Sequence, residues 1–493
     1  MKHFYFLFLL LLSLCTKAQK TITYTSNEVE QSKKYIQGNK FQKDFLLYVD
    51  MLKQSHPAFA NKGMPFNIDS TLTAGYKQCK KCKEQAEFSV ILQEIAAKLH
   101  DGHTSISSNY STDEMYPMYL FIDDEGVYLK SVQQGFETHL NKKIVKVNGN
   151  TISRVCDSFR KTISYGNEWE FRKMFKNTTQ SLQPWKELGL CNSDSSIVLT
   201  FLDGDSLKLR PLSKRNIHLK DKLEGFAKAQ ILRRVQLLRQ GNTPFSYTLI
   251  PGKSTCYLLF DQCEDRNTLL EKSYWKVQHS DSLKRELEKN LLRIPVFSDF
   301  LNQMFQTMKD SSIQTLVIDV RQNSGGNSRL CNELLMHLKK ELKLPTVYIR
   351  ESNLAHEHYK ALGKDSIAWI NANPQTVYSD KDIYEGNVIF VQGERTFSSA
   401  GLLITEAVDN GIGTLIGDYA SYTPSHYGDI IYWSLPNTQT TGTISNRYFL
   451  RPAAEKAKES YIKPDVLLPA TFKDYIKGYD PCWDWIINKQ RSN

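Results

Sequence analysis

The run Thr315-Leu316-Val317-Ile318-Asp319-Val320 constrains the fold more than any other stretch of the chain. A short, mostly apolar run closed by a polar, glycine-containing loop reads as a strand buried in a sheet. Leu330, Leu334, Leu335, Leu338 and Leu342 then mark a helix, Thr346–Ile349 another strand and Asn387–Val391 a third. Ser399–Asn410 reads as a helix ended by Gly411. Strands alternating with helices predict an α/β domain with a largely parallel sheet over residues 247–470.

The N-terminal half is patterned differently. Lys2 and His3 precede the apolar run Phe4–Cys15, and Thr16-Lys17-Ala18 follows. That run is too short to span a bilayer and predicts a signal peptide over 1–18, cleaved after Ala18, so that the chain is exported to the periplasm or secreted. Lipoprotein anchoring at Cys15 ranks second, because Leu rather than Gly or Ala precedes it. Residues 19–112 form a helical region, with Phe45, Leu46, Val49 and Leu52, then Phe88, Ile91, Leu92, Ile95 and Leu99, at helical spacing; His56-Pro57 breaks the first helix. Over 113–213 the pattern turns to short strands. Lys143–Val147, the turn Asn148-Gly149 and Ile152 resemble the corresponding stretch of PDZ domains, while any hairpin with an Asn-Gly turn shares the same signature. Helical residues 153–183 and a hairpin over Ile197–Leu212 complete this interrupted, PDZ-like unit. Residues 214–246 are a basic helical connector and 471–493 a C-terminal tail.

Composition narrows the function class. Of the 493 residues, 41% are hydrophobic and 24% charged, a globular balance without a later membrane-spanning stretch. The net charge of +10 comes without a Lys/Arg block, which argues against a nucleic-acid partner. Eight of the nine Cys lie beyond Ala18, a number that permits disulfides without assigning them; Cys79 and Cys82 form one C-x-x-C, with no second pair to suggest zinc. The eleven His are scattered, His356 and His358 standing alone in a polar loop, and no metal or cofactor motif is present. The sequence leaves oligomeric state open.

Three segments can carry chemistry. Arg321-Gln322-Asn323-Ser324-Gly325-Gly326-Asn327 follows the buried strand, where a glycine pair lets backbone N–H groups turn toward an oxyanion, or simply makes a strand-to-helix loop. Thr396-Phe397-Ser398-Ser399-Ala400-Gly401 puts a Ser at a helix N-terminus, where it serves as nucleophile or as an ordinary cap. The small Ser399, Ala400 and Gly401 leave room for a substrate backbone. Leu99-His100-Asp101-Gly102-His103-Thr104-Ser105 offers a His on a glycine turn as a general base, His103 in first place and His100 in second.

Together these segments resemble the tail-specific (C-terminal-processing) serine peptidases. The ordered set is Asp101-Gly102-His103-Thr104, the PDZ-like insertion, the Arg321–Gly326 loop, the Ser-rich turn with Gly417-Asp418 after its helix, and Pro464-Asp465. The resemblance implies a crotonase-like catalytic domain that hydrolyses peptide bonds in peptide or unfolded protein substrates, with no cofactor. It implies Ser398 as nucleophile, Asp409 as an accompanying acid, and an oxyanion hole from Ser399 with Gly325 or Gly326. In the Ser/Lys branch a Lys follows Gly-Asp/Glu, but Thr423 stands there; the tricorn-like Ser/His branch fits better, with His103 as general base. Gly102 stands where that branch has a supporting Ser. Glu459 lies one residue out of register with its supporting Glu, and Glu455 is second choice. Two readings compete with the peptidase: a peptide-binding protein of the same fold that has lost catalysis, and a generic α/β-hydrolase, disfavoured by the absence of G-x-S-x-G.

Overall fold

A computed structural model describes residues 22–23, 38–59, 68–107, 114–223, 225–239, 243–277, 281–350, 352, 355 and 375–489. The expected signal peptide, and His356 with His358, lie outside the described residues.

The strand Thr315–Asp319 is buried at every position and sits inside a six-stranded sheet. Thr255–Phe260 flanks it on one side and Asn387–Gln392 on the other, both parallel, with Thr315 opposite Asn387. Thr414–Gly417 and Val466–Leu467 continue the parallel order, and Phe245–Leu249 closes the far edge antiparallel. The helices Phe297–Asp310, Ser328–Leu335 and Ser399–Asp409 bury Leu301, Met304, Leu334, Leu403 and Ile404 against one face. Gly225–Leu238 and Pro481–Lys489 cover the other through Leu238, Cys482 and Ile486. The largely parallel sheet is therefore as expected, covered on both faces as parallel sheets require.

Four local expectations fail. Thr346–Ile349 lies outside the parallel sheet and pairs antiparallel with Thr441–Leu450. The stretch 214–246 is not helical throughout, because Leu219–Asp221 adds a strand to the inserted sheet beside Gly126–Gln133 and only Gly225–Leu238 is a long helix. The helix after the glycine loop stops at Leu335, and Leu342 lies in the short strand Glu341–Lys343. The leucine spacing could not mark that stop, because strand and helix both bury their leucines. Residues 471–489 are not a tail: the helices Phe472–Lys477 and Pro481–Lys489 pack against the rest of the molecule, with Phe472, Cys482 and Ile486 buried.

The helices Lys40–Ser55, Ile68–Cys79 and Gln85–Ala97 do not make a core alone. Phe45, Tyr48, Leu52, Phe88 and Leu92 pack on Ile431, Trp433 and Ile444. Those residues belong to His426–Ser434 and Thr441–Leu450, an antiparallel pair joined by Thr346–Ile349 and by Ser105–Ser107. The chain's first helical region thus closes over strands more than 300 residues later, and Ser105–Ser107 carries the His103 turn into that sheet.

Residues 118–221 build a separate antiparallel sheet of seven strands, and Glu114–Met115 pairs with Leu212–Ser213 beside it. Asn148 and Gly149 both have positive φ, as a two-residue Asn-Gly hairpin turn requires. The helices Ile152–Arg160, Glu168–Thr178 and Leu182–Glu187 fill its core with Phe159, Phe171, Phe175 and Trp185. All eight cysteines beyond residue 18 are free thiols.

Candidate active site

Ser398 stands at the N-cap position of Ser399–Asp409, yet its side chain makes no capping bond. Its backbone has φ 52 and ψ −126, a strained conformation for a residue with a Cβ. Such a turn throws the side chain off the helix, as at a nucleophile elbow. The surroundings hold the strain in place. Thr396 Oγ1 donates to Val320 O at 2.9 Å, and Phe397 N donates to Asn323 O at 3.1 Å. Gly325 packs so closely beneath the turn that an added Cβ would lie 2.7 Å from the Cβ of Ser398.

His103 reaches this serine from the other end of the chain, with Nε2 3.0 Å from Ser398 Oγ. Its ring stacks on Phe397 at 4.6 Å and on His426 at 5.9 Å. The backbone is tied as well: Thr443 Oγ1 donates to His103 O at 2.7 Å. His100 also lines the cleft, but its ring meets Tyr165 edge-on.

The carboxylate behind His103 is Asp101. Oδ1 lies 3.6 Å from His103 Nδ1 and accepts the His103 backbone N–H at 2.9 Å. Oδ2 receives Thr104 Oγ1 and Ser445 Oγ, each at 2.6 Å, and sits 3.2 Å from His56 Nε2. Burial alone would raise this carboxyl; the contacts with His103 and His56 outweigh it and hold Asp101 well below the usual carboxylate range. The His56-Pro57 break thus does more than end a helix, since it sets a second imidazole on Asp101.

Glu459 is elsewhere. It is half exposed and pairs with Arg451 Nη1 at 2.6 Å. Arg451 is buried and also holds Asp409, with Nη2 2.6 Å from Oδ1. Asp409, Arg451 and Glu459 therefore tie the helix after Ser398 to the loop beyond residue 450. Glu455 lies on the adjacent short helix Ala454–Lys456, exposed. Sequence order alone favoured these acids, whereas Asp101 was legible only as part of its motif.

The glycine pair divides its work. Gly325 N donates to Asn323 Oδ1 at 2.8 Å and is committed within the loop. The N–H groups of Gly326 and Ser399 donate to no acceptor among the described residues. Ser399 Oγ binds Gly326 O at 2.8 Å, which holds the two peptide units together. Both glycines have positive φ, and a Cβ on Gly326 would meet Cys263 O at 2.4 Å. Gly401 does not serve the substrate: the space above it is filled by the Tyr422 ring, 2.5 Å from where its Cβ would lie.

These groups border a cleft lined by Asp101, His103, Glu170, Ser398, Tyr422 and His426, among others. Thr423, at the position of the expected Lys, is also on its wall. His426 Nδ1 lies 3.1 Å from Thr423 O, and burial pushes its pKa down to about 3, so the ring is neutral. Sequence reasoning assigned no role to Glu170 or Lys173, both on the helix Glu168–Thr178 of the inserted unit. The Lys173 ammonium lies 4.2 Å over the Phe397 ring. Among the described residues no cluster of side chains could hold a metal ion.

Residues 290–468 match peptidase family S41. No curated protein sequence matches the chain. Among solved structures, mature CPAF is 14% identical with a TM-score of 0.60, over 91% of this chain and 96% of that one. Mature CPAF complexed with lactacystin is 14% identical with a TM-score of 0.61, over 92% and 98%. A protein of Parabacteroides merdae ATCC 43184 is 14% identical with a TM-score of 0.50, over 92% and 97%. At these identities the structures share a fold. The family match takes in the Gly325-Gly326 loop and Ser398 and supports a serine peptidase; His103, Asp101 and the inserted unit lie before it.

Proposed function

We propose that the chain, whose residues 290–468 match peptidase family S41, is an exported serine endopeptidase with Ser398 as nucleophile and His103 as general base. The observation that carries this reading is the 3.0 Å approach of His103 Nε2 to Ser398 Oγ, on a serine whose strained backbone gives it no capping role.

The chemistry is acyl transfer. With its Nδ1–H toward Asp101, His103 presents an unprotonated Nε2 to the hydroxyl. It takes the proton as Ser398 Oγ attacks a peptide carbonyl. The N–H groups of Ser399 and Gly326 receive the oxyanion, each worth about 3 kcal/mol in comparable acyl-transfer sites. The imidazolium then protonates the leaving amine, and water, activated by the same base, releases the acyl-enzyme. We assign this chemistry to the Ser/His type, because Thr423 stands at the sequence position expected for the Lys of a Ser/Lys enzyme and lines the cleft. We read the inserted unit, expected over 113–213, as PDZ-like and as the element that presents peptide or unfolded protein to the cleft. Export rests on the Phe4–Cys15 run and Ala18. Among the described residues no helix is long and apolar enough to cross a membrane.

A fluorophosphonate probe tests the reading directly. It is expected to label Ser398 in the wild type and to leave Ser398→Ala unlabelled, with peptide hydrolysis lost in the folded variant. A folded wild type that neither labels nor hydrolyses peptides would instead be a peptide-binding protein.

A further inference from the structure

Gly102 and Glu170 form a matched pair in the wall of the cleft. An ideal Cβ on Gly102 would lie 1.7 Å from Glu170 Oε1, so no side chain at 102 is compatible with the carboxylate as it stands. Glu170 is 2% exposed and lines the cleft beside His103 and Ser398. Gly166 N donates to its Oε2 at 2.7 Å, while no hydrogen bond is formed at Oε1 among the described residues. A buried carboxylate with one oxygen unused, at a site where the neighbouring residue has given up its side chain, is costly unless its charge is used.

The segment that delivers it is fixed on both sides of the cleft. Ser164 Oγ donates to Asp101 O at 2.7 Å. Asn167 caps the helix through its Oδ1, which accepts from Glu170 N at 2.9 Å. Its Nδ2 reaches three carbonyls, Ala420 O at 3.0 Å, Tyr422 O at 2.7 Å and Ser460 O at 3.1 Å. The inserted unit is therefore tied to the His turn and to the opposite wall by the residues just before Glu170.

We propose that Glu170 is a positioning residue for His103, a carboxylate lent by the inserted unit that stabilises the imidazolium formed when Ser398 gives up its proton. Asp101 orients the ring, but its charge is divided among His56, Thr104, Ser445 and the His103 backbone. Glu170 has a single backbone donor, and the cations that act on it are Lys173 of its own helix and His103. The charged and titratable groups around it are His103, Asp101 and His100 from the turn, Lys173 from its own helix, and Tyr422 and His426 from the opposite wall. Burial pushes Glu170 up to about 7, against the pull of Lys173, the Gly166 N–H and His103. The carboxylate thus ionises in the range where an imidazole base works: protonated and neutral below, charged above.

The inference rests on the Ser398–His103 reading, and the test separates the two. The measurements are the pH profile of peptide hydrolysis in wild type, Glu170→Gln and Gly102→Ala, with fluorophosphonate labelling and thermal melts alongside. Gln keeps the shape and can still accept from Gly166 N–H, so a structural role predicts no change. The expected result for Glu170→Gln is a fall of about tenfold or more in kcat near pH 8, little change in KM, and a shallower acid limb. Gly102→Ala, which displaces the carboxylate without removing it, should show the same kcat loss. An unchanged profile in folded Glu170→Gln overturns the inference while labelling of wild-type Ser398 upholds the parent reading. A loss confined to KM for substrates with a cationic residue also overturns it, since Glu170 would then be a substrate contact. Failure of the wild type to label overturns both.

Discussion

Asp101 Oδ1 lies 3.6 Å from Nδ1 of His103, its neighbour but one in the chain. On the proposed reading the carboxylate behind His103 comes from the same tight turn as that imidazole, and Ser445, Thr104 and His56 hold it from three other directions. Asp101→Asn removes the charge and lets the imidazole take the wrong tautomer. Peptide hydrolysis should fall by roughly 10²–10⁴ in kcat, as in other Ser-His-Asp sites, with Ser398 still present for labelling at a reduced rate. Burst and steady-state kinetics on the folded variant check this.

The acids at 409 and 459 should behave oppositely to one another and to Asp101. Glu459 is half exposed, so Glu459→Gln should change stability by less than about 1 kcal/mol and leave kcat near wild type. Asp409→Asn strips the buried Arg451 of its buried carboxylate partner and should cost about 3–5 kcal/mol. Denaturant melts paired with hydrolysis rates distinguish the three variants.

The two adjacent serines give a sharp contrast. Ser399→Ala keeps the backbone N–H and loses only the bond from Oγ to Gly326 O, so kcat should drop by no more than about tenfold. Ser398→Ala should lose hydrolysis altogether. Equal losses in the two variants would mean that the hydroxyl at 399 takes part in the chemistry.

Glu406, on the helix Ser399–Asp409, sets a pH dependence of stability. It is fully buried, Oε2 has no hydrogen-bond partner, and burial followed by the nearby Asp409 pushes it up to about 8. The unfolded group ionises near 4.5, so the folded state binds the extra proton between those values, and stability falls as pH rises from about 4.5 through about 8. Glu170 and Asp418, raised to about 7 and about 6, slope the same way at lower pH. Glu406→Gln should therefore flatten the upper part of the curve, with a gain of about 1–3 kcal/mol over wild type at pH 8.5 and little at pH 5. Melting curves across that range provide the check.

The parallel sheet was legible in Thr315–Asp319 and Asn387–Gln392, each an apolar run between turn residues as burial on both faces demands, whereas Thr346–Ile349 showed a similar pattern and joined another sheet. Ser398, His103 and the glycine loop were legible as residue types in order. Their local alternatives were helix cap, polar turn and plain loop, and only the fold decided among them: the φ of 52 at Ser398 and the missing cap bond appear once Thr396 and Gly325 pin the turn. Asp101 was visible in its motif but not in its role, because its partners His56 and Ser445 are 45 and 344 residues away. Glu170 had no signal beyond an unexplained glycine at 102, since a contact between an inserted unit and a distant turn leaves no periodicity. By itself the sequence determined which segments are buried and which residues could react, because hydrophobic pattern and turn chemistry act over a few residues. Which carboxylate stands behind His103, which N–H groups are free for an oxyanion, and which unit completes the cleft were decided by tertiary structure, because charge and hydrogen bonding depend on distance in space and not along the chain.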